Sequence, residues 1–311
     1  MRVLVTGAQG FVGRHLVATL RGRGHEVIPA DRRAGDDGIL VDVTDPLTVR
    51  GALELTQPHA VAHLAGQAFV PDAQRDPDAT FAVNALGTLH VLDAVRALRD
   101  EGRSPRVLVV SSADVYGAQP PGAYPLRETV ACAPRNPYAA SKVAAEALAM
   151  SYVHSYGVDA VITRAFNHIG PGQDERFAVT AFATQLARIA AGGAPQLLVG
   201  NLEASRDFLD VRDVCEAYAD LLEGTGEAGE VYNVCSGTAT TIREVLRALI
   251  TIAGVPVEVR EDPERMRPAD VPLSVGDAAK LRGATGWAPR IPLQAALRAV
   301  YDDARTRLVH S

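Results

Sequence analysis

The stretch RVLVTGAQGFVG, residues 2–13, decides the fold. A short run rich in valine and leucine ends at Gly7, Gly10 and Gly13, and the amphipathic segment FVGRHLVATLRGRG (11–24) follows at once. A strand that bends sharply into a helix needs glycine at the bend. The open helix N-terminus beyond it then stabilises an anion such as a pyrophosphate. Three glycines alone are a weak signal, and context strengthens them. Asp31 stands eighteen residues past Gly13, at the end of a second apolar run, EVIPA (26–30). A carboxylate there binds ribose hydroxyls and repels a 2′-phosphate, so Asp31 favours NAD over NADP. Arg32 and Arg33 follow directly and offer a 2′-phosphate two guanidiniums, which keeps NADP open.

Outward from this stretch, strand-like runs alternate with helical patterns. The runs ILVDV (39–43), HAVAHLA (59–65), RVLVVSS (106–112) and DAVITRA (159–165) are nearly continuous apolar segments. Strands of that kind have both faces covered, as in a parallel sheet. Helical patterns at 83–100 and 137–157 lie between them. Repeated strand–helix–strand order predicts right-handed crossovers and an α/β doubly wound parallel sheet. The expected division is a dinucleotide-binding domain over 1–165, with a return strand near 229–236. A smaller, interleaved substrate domain then covers 166–311. Asp42 and Val43 close the third run and are candidates to flank an adenine; Asp42 also reads as a solvated loop carboxylate. Leu64, Ala65 and Gly66 end the fourth run with small residues where a cofactor backbone can pass.

Composition excludes several classes. Hydrophobic residues make up 47% and charged residues 22% of 311, the net charge is −6, and no basic patch suggests nucleic acid or a membrane surface. No run approaches the ~18 consecutive apolar residues of a membrane span. Cys132, Cys215 and Cys235 are odd in number and far apart, which suits a reducing cytoplasm. The eight histidines do not fall at metal-ligand spacing, so no metal is expected.

Among 31 lysines and arginines, only Lys142 and Lys280 are lysine. Lys142 follows Tyr138 by four residues in RNPYAASKVAAEALA (135–149), where Asn136 reads as a helix cap and Pro137 as the first helical residue. Tyr138 and Lys142 therefore share a face. A nearby ammonium favours a phenolate, so Lys142 is expected to lower the pKa of Tyr138 from its ordinary value of ~10. Its compact head also suits the hydroxyls of a nicotinamide ribose better than arginine's planar fork. Ser112, at the carboxyl end of RVLVVSS, is placed to polarise a substrate carbonyl beside Tyr138. The three residues make a set for hydride transfer with proton relay.

TGAQGFVG, HLAGQ, Asn84 in VNALGT, SSADVYG and YAASK together resemble the extended short-chain dehydrogenase/reductase family, over essentially the whole chain. The resemblance implies a Rossmann domain with a nucleotide-sugar domain, and Ser112, Tyr138 and Lys142 as the catalytic set. It adds Gly7, Gly10, Phe11, Val12, Gly13, Asn84, Tyr138 and Lys142 to the cofactor contacts, and a homodimer built through a four-helix bundle.

FNHIGPGQ, LVGNLEASRDFLDVRDV and RMRPADVPLSVGDAAKLRGATGW resemble enzymes acting on GDP-sugars. By that likeness Asn167, Arg206 and Arg267 contact the substrate diphosphate, although Arg206 also has Asp207 and Asp210 at hand for ordinary ion pairs. Dehydratases of the family carry a glutamate two places after the catalytic Ser/Thr; here Ala113 and Asp114 follow Ser112, and both are expected beside the sugar. The expectation is an NAD(P)H-dependent reduction of the carbon-4 ketone of GDP-4-dehydro-6-deoxy-D-mannose. A 4,6-dehydratase, a 4-epimerase and a catalytically silent NAD(P)-binding sensor stand as alternatives. His168 is a weak acid/base candidate.

Overall fold

The computed structural model describes residues 1–309 except 34, 36 and 266–270. Its centre is a seven-stranded parallel sheet. The strands are β1 (Arg2–Thr6), β2 (Glu26–Asp31), β3 (Ile39–Leu40), β4 (Ala60–His63), β5 (Arg106–Ser112), β6 (Ala160–Ala165) and, after an excursion, β10 (Val231–Val234). They lie in the order β3-β2-β1-β4-β5-β6-β10. The order reverses between β1 and β4, and ligands of open α/β sheets bind outside the carboxyl ends of strands at such a point.

Helices cover both faces of the sheet. On one side α1 (Phe11–Gly22) packs with α8 (Val211–Leu222). On the other lie α2 (Pro46–Thr56), α5 (Gly87–Asp100) and α6 (Pro137–Tyr156). The fully buried side chains explain the near-continuous apolar runs: Val3, Val5 and Ala62 face one layer, Leu4, Val61 and Val109 the other.

The short helices α3 (Val70–Arg75) and α4 (Pro77–Phe81) precede a π-helical turn, Ala82–Leu86, which leads into α5. The continuous stretch Pro77–Asp100 is long and apolar enough by length and average composition to cross a membrane, although polar residues interrupt it throughout and it holds no long unbroken apolar run. Half of its most apolar window is buried, with Val91, Leu92, Val95 and Leu98 packed into the core.

The second half builds a separate cluster. β7 (Asn167–Ile169) pairs in parallel with β9 (Ser205–Asp210), which also holds β11 (Ala239–Thr241) and β13 (Leu273–Ser274). β8 (Gln196–Val199) pairs with β12 (Glu258–Glu261). The helices α7 (Ala178–Ala190), α9 (Ile242–Ala253) and α11 (Leu293–Val309) enclose a core that includes Phe182, Leu249 and Val300. α10 (Ala279–Thr285) returns against β10 and α8.

Candidate active site

The glycine turn forms a cradle that a side chain would fill. Gly7 has φ +70°, and a Cβ there would come 2.7 Å from the Ala65 nitrogen. At Gly13 a Cβ would lie 2.2 Å from the Gly7 carbonyl oxygen. Helix α1 starts at Gly10 with no side-chain cap, so its N-terminal field is open toward the loop. These features fit the pyrophosphate of a dinucleotide. Phe11 and Val12 pack partly against the core, and the Phe11 ring stacks on His168 with centroids 6.1 Å apart.

Asp31 sits at the end of β2 and accepts from the Gln9 N–H at 3.0 Å, tying that strand to the glycine turn. Arg32 and Arg33 are exposed. The Asp42 carboxylate accepts from the Thr44 hydroxyl at 2.7 Å and the Thr44 N–H at 2.9 Å, and these bonds hold it below the ordinary carboxylate range. Val43 is buried against Gly87, and its carbonyl bonds to His90 Nδ1 at 2.8 Å.

The loop after β4 is fixed by Asn84. This residue, 1% exposed on the π-helical turn, accepts from Gln67 N–H at 2.8 Å and donates to Gln67 O at 3.0 Å and Ser141 Oγ at 2.9 Å. It joins the loop holding Leu64, Ala65 and Gly66 to the helix that carries Tyr138. A Cβ at Gly66 would come within 3.1 Å of Asn84 Oδ1 and 3.4 Å of Lys142 Nζ, so the loop backbone runs close beside both groups. Behind the loop, His63 is buried, bonds through Nδ1 to Thr6 Oγ1 at 2.9 Å, and is pushed down to about 3 by burial and then by Lys142.

Asn136 caps α6 through Ala139 N–H at 2.8 Å, and Pro137 opens the helix, as its sequence implies. Tyr138 and Lys142 are each 8% exposed. Lys142 Nζ donates to the Val110 carbonyl at 2.8 Å, and burial lowers it to about 8 against a smaller upward pull from Glu146. Ser112 ends β5 and its hydroxyl accepts from the Asp114 N–H at 3.2 Å.

The expectation that Lys142 makes the phenol more acidic is corrected. Burial raises Tyr138 well above the ordinary phenol, the Asp114 carboxylate adds to the rise, and the Ser112 hydroxyl opposes it. Losing water penalises the phenolate, and the Lys142 ammonium, directed at the Val110 carbonyl, is not among the groups that set the shift. The resting phenol therefore stays protonated, as an acid must.

Ala113 faces the core, while Asp114 is exposed at the rim. Asn167 lies opposite Phe208 in the β7–β9 pair, with Arg206 two residues along β9. The Arg206 guanidinium donates to the carbonyls of Ser205 at 2.9 Å and Val271 at 2.6 Å. The two carboxylates considered for it are engaged elsewhere. Asp207 accepts from Ser236 N–H, Ser236 Oγ and Gly237 N–H, and Asp210 holds Arg212. Arg267 lies outside the described residues. Burial lowers His168, so it sits neutral against the Phe166 carbonyl, 3.0 Å from Nδ1. Among the described residues no group of three His, Cys, Asp or Glu can hold a metal ion.

Sequence reasoning missed the groups beneath the site: Thr6, His63, Ser111, Ser141, Glu146 and Arg164. Glu146 alone left a trace, as the acid one turn after Lys142 on the same face.

Residues 4–300 match the family described as GDP-mannose 4,6 dehydratase. The chain is 44% identical over 310 residues to GDP-6-deoxy-D-mannose reductase of Pseudomonas aeruginosa, covering 99% of this chain and 98% of that protein. It is 31% identical over 324 residues to GDP-mannose 4,6 dehydratase 2 of Arabidopsis thaliana, covering 96% and 86%. The solved structure of RMD from Pseudomonas aeruginosa complexed with NADPH superposes with a TM-score of 0.88 at 43% identity, covering 98% of this chain and 99% of that one.

Proposed function

The chain belongs to the extended short-chain dehydrogenase/reductase family, in its nucleotide-sugar branch, and from that premise we propose that it reduces the carbon-4 ketone of GDP-4-dehydro-6-deoxy-D-mannose to GDP-6-deoxy-D-mannose. The observation that carries the reading is the 44% identity to a reductase of that name along the full length of both chains. The site agrees with it. A ketone reduction consumes a proton, and a buried Tyr138 held above its ordinary value keeps one to give.

When bound, a reduced nicotinamide supplies the hydride. Gly7, Gly10 and Gly13 would admit the pyrophosphate, Asp31 the adenine ribose, and Lys142, in reach of the Gly66 backbone, the nicotinamide ribose. Ser112 orients the carbonyl and Tyr138 protonates the oxygen at carbon 4 as charge builds there. Donors placed for the developing alkoxide stabilise the transition state more than the ketone. Asn167, Arg206 and Arg267 are assigned to the diphosphate, and Asp114 to a sugar hydroxyl. The Asp31 carboxylate favours NADH, while exposed Arg32 and Arg33 leave room for NADPH.

The dehydratase reading lacks its glutamate: Ala113 is packed in the core and Asp114 is one methylene short. A displacement of ~1 Å costs about 100-fold in rate, so the shorter acid tells against elimination. Exposed Leu86 on the helical turn before α5 and exposed Tyr156 on α6 support a homodimer through these helices. Three free thiols among the described residues fit a reducing cytoplasm.

The test is product analysis. With the keto-sugar and NADH or NADPH, coenzyme oxidation should match GDP-6-deoxy-D-mannose formed. Turnover of GDP-mannose alone to a keto-sugar would establish the dehydratase instead, UDP-galactose from UDP-glucose an epimerase, and coenzyme binding without turnover a sensor.

A further inference from the structure

One buried charged pair beneath the site has no part in the chemistry above. Glu146 on α6 and Arg164 on β6 meet through Nε–Oε1 at 2.9 Å and Nη2–Oε2 at 2.7 Å, with side chains 8% and 7% exposed. Ser111 Oγ donates to the same carboxylate at 2.5 Å. Arg164 also donates to the Glu128 carbonyl and lies 4.7 Å over the Tyr116 ring. The desolvation of a buried pair offsets most of its attraction, so stability is a poor reason for its presence.

Its position suggests a better one. Glu146 stands one helical turn after Lys142 and two after Tyr138, on the same face of α6. Ser111 immediately precedes Ser112 on β5, and β5 supplies the Val110 carbonyl that holds Lys142. Through Ser111, Glu146 therefore bonds the end of β5 to α6, the two elements that carry all three reacting residues, while Arg164 holds the carboxylate from β6.

We propose that Glu146, held by Arg164, is a positioning residue: it clamps the end of β5 to α6, and its carboxylate balances the buried ammonium of Lys142. The inference rests on the reductase reading, in which Lys142 acts as a cation. The groups that act on Lys142 are Glu146 from its own helix, which carries Tyr138 one turn earlier, neutral His63 from β4 and the Val110 carbonyl from β5. Asn84 lies across Gly66, and Ser111 bonds Glu146. Asp114 faces Tyr138 from the rim, and Arg164, with Tyr116 and Cys132 around it, stands behind Glu146. Glu146 is the carboxylate that pulls Lys142 upward against burial.

The composition makes the test direct, because Lys142 and Lys280 are the only lysines. Protein carrying ¹³C at lysine Cε gives two resonances, and Lys280→Arg identifies which is Lys142. Their titration needs neither substrate nor turnover, so it is readable even if the reductase reading fails. Glu146→Gln should move the Lys142 midpoint to lower pH by about one unit or more. Arg164→Gln, which leaves the carboxylate, should leave the midpoint in place or raise it. In turnover the alkaline limb of kcat should move with the midpoint in Glu146→Gln.

Should the single variants misfold, the double variant Glu146→Gln/Arg164→Gln, with no unpaired buried charge, should still show the lowered midpoint. An unmoved midpoint in Glu146→Gln or in the double variant overturns the proposal, as does an equal lowering by Arg164→Gln. If neither Glu146→Gln nor the double variant folds, the pair serves folding alone and the proposal is likewise overturned.

Discussion

Replacing Lys142 by methionine, of similar length and no charge, should make the protein more stable while removing its activity. In the folded chain the ammonium is depressed from 10.5 to about 8. The unfolded chain thus binds the proton more tightly, and folding stability rises with pH from 8 toward 10.5. Below pH 8 the whole penalty is present. At about 1.36 kcal/mol for each step of one in pKa, it amounts to ~3 kcal/mol. Methionine also leaves the Val110 carbonyl without its 2.8 Å donor, a loss of about 1 kcal/mol. The variant should therefore gain ~2 kcal/mol at pH 7, and the gain should vanish near pH 10, where the penalty falls below ~1 kcal/mol. Urea unfolding of both proteins at the two pH values measures this directly. A methionine variant less stable than the parent at pH 7, or a gain independent of pH, would refute the reasoning.

Further outcomes follow from the same geometry. Gly13→Ala puts a Cβ 2.2 Å from the Gly7 oxygen and should weaken coenzyme binding by ~100-fold or more, whereas Gly22→Ala, with nothing within 4 Å, should leave it unchanged; calorimetric titration with NADPH separates the two. Tyr138→Phe should lower kcat by about 10²–10⁴-fold with coenzyme affinity retained, as single-turnover kinetics would report. His63, held near 3 against 6.5 in the free side chain, contributes stability that is complete above pH 6.5 and is lost as pH falls toward 3. Thermal unfolding of His63→Asn should show a shallower decline across that window, and identical slopes would remove His63 from the explanation.

The sheet was legible because its signals are local. Continuous apolar runs, the glycines after β1, and the Asn136–Pro137 start of α6 each declare their structure within a few residues. The third run shortened to Ile39–Leu40, since Asp42 turns the chain by accepting from Thr44. β9 escaped notice because it opens Ser205–Arg206–Asp207, polar residues at odds with a buried strand. Its Asp207 is satisfied by the Ser236 hydroxyl and by amides from Ser236, Gly237 and Gly276, far off in sequence. The site shows the same division. The places of Ser112, Tyr138 and Lys142 at a strand end and a helix start could be read from the sequence, whereas the direction of the Tyr138 shift could not. That depends on water excluded by the whole fold and on Asp114 at the rim, and not on the one helical neighbour visible in the sequence.

The most direct measurement follows a labelled hydride. With the keto-sugar and coenzyme carrying deuterium at the transferable position, the nucleotide-sugar product should hold one deuterium, at carbon 4, in the 6-deoxy-D-mannose configuration. Deuterium at another carbon, or the same product formed without reduced coenzyme, would contradict reduction of that ketone by Tyr138, Lys142 and Ser112.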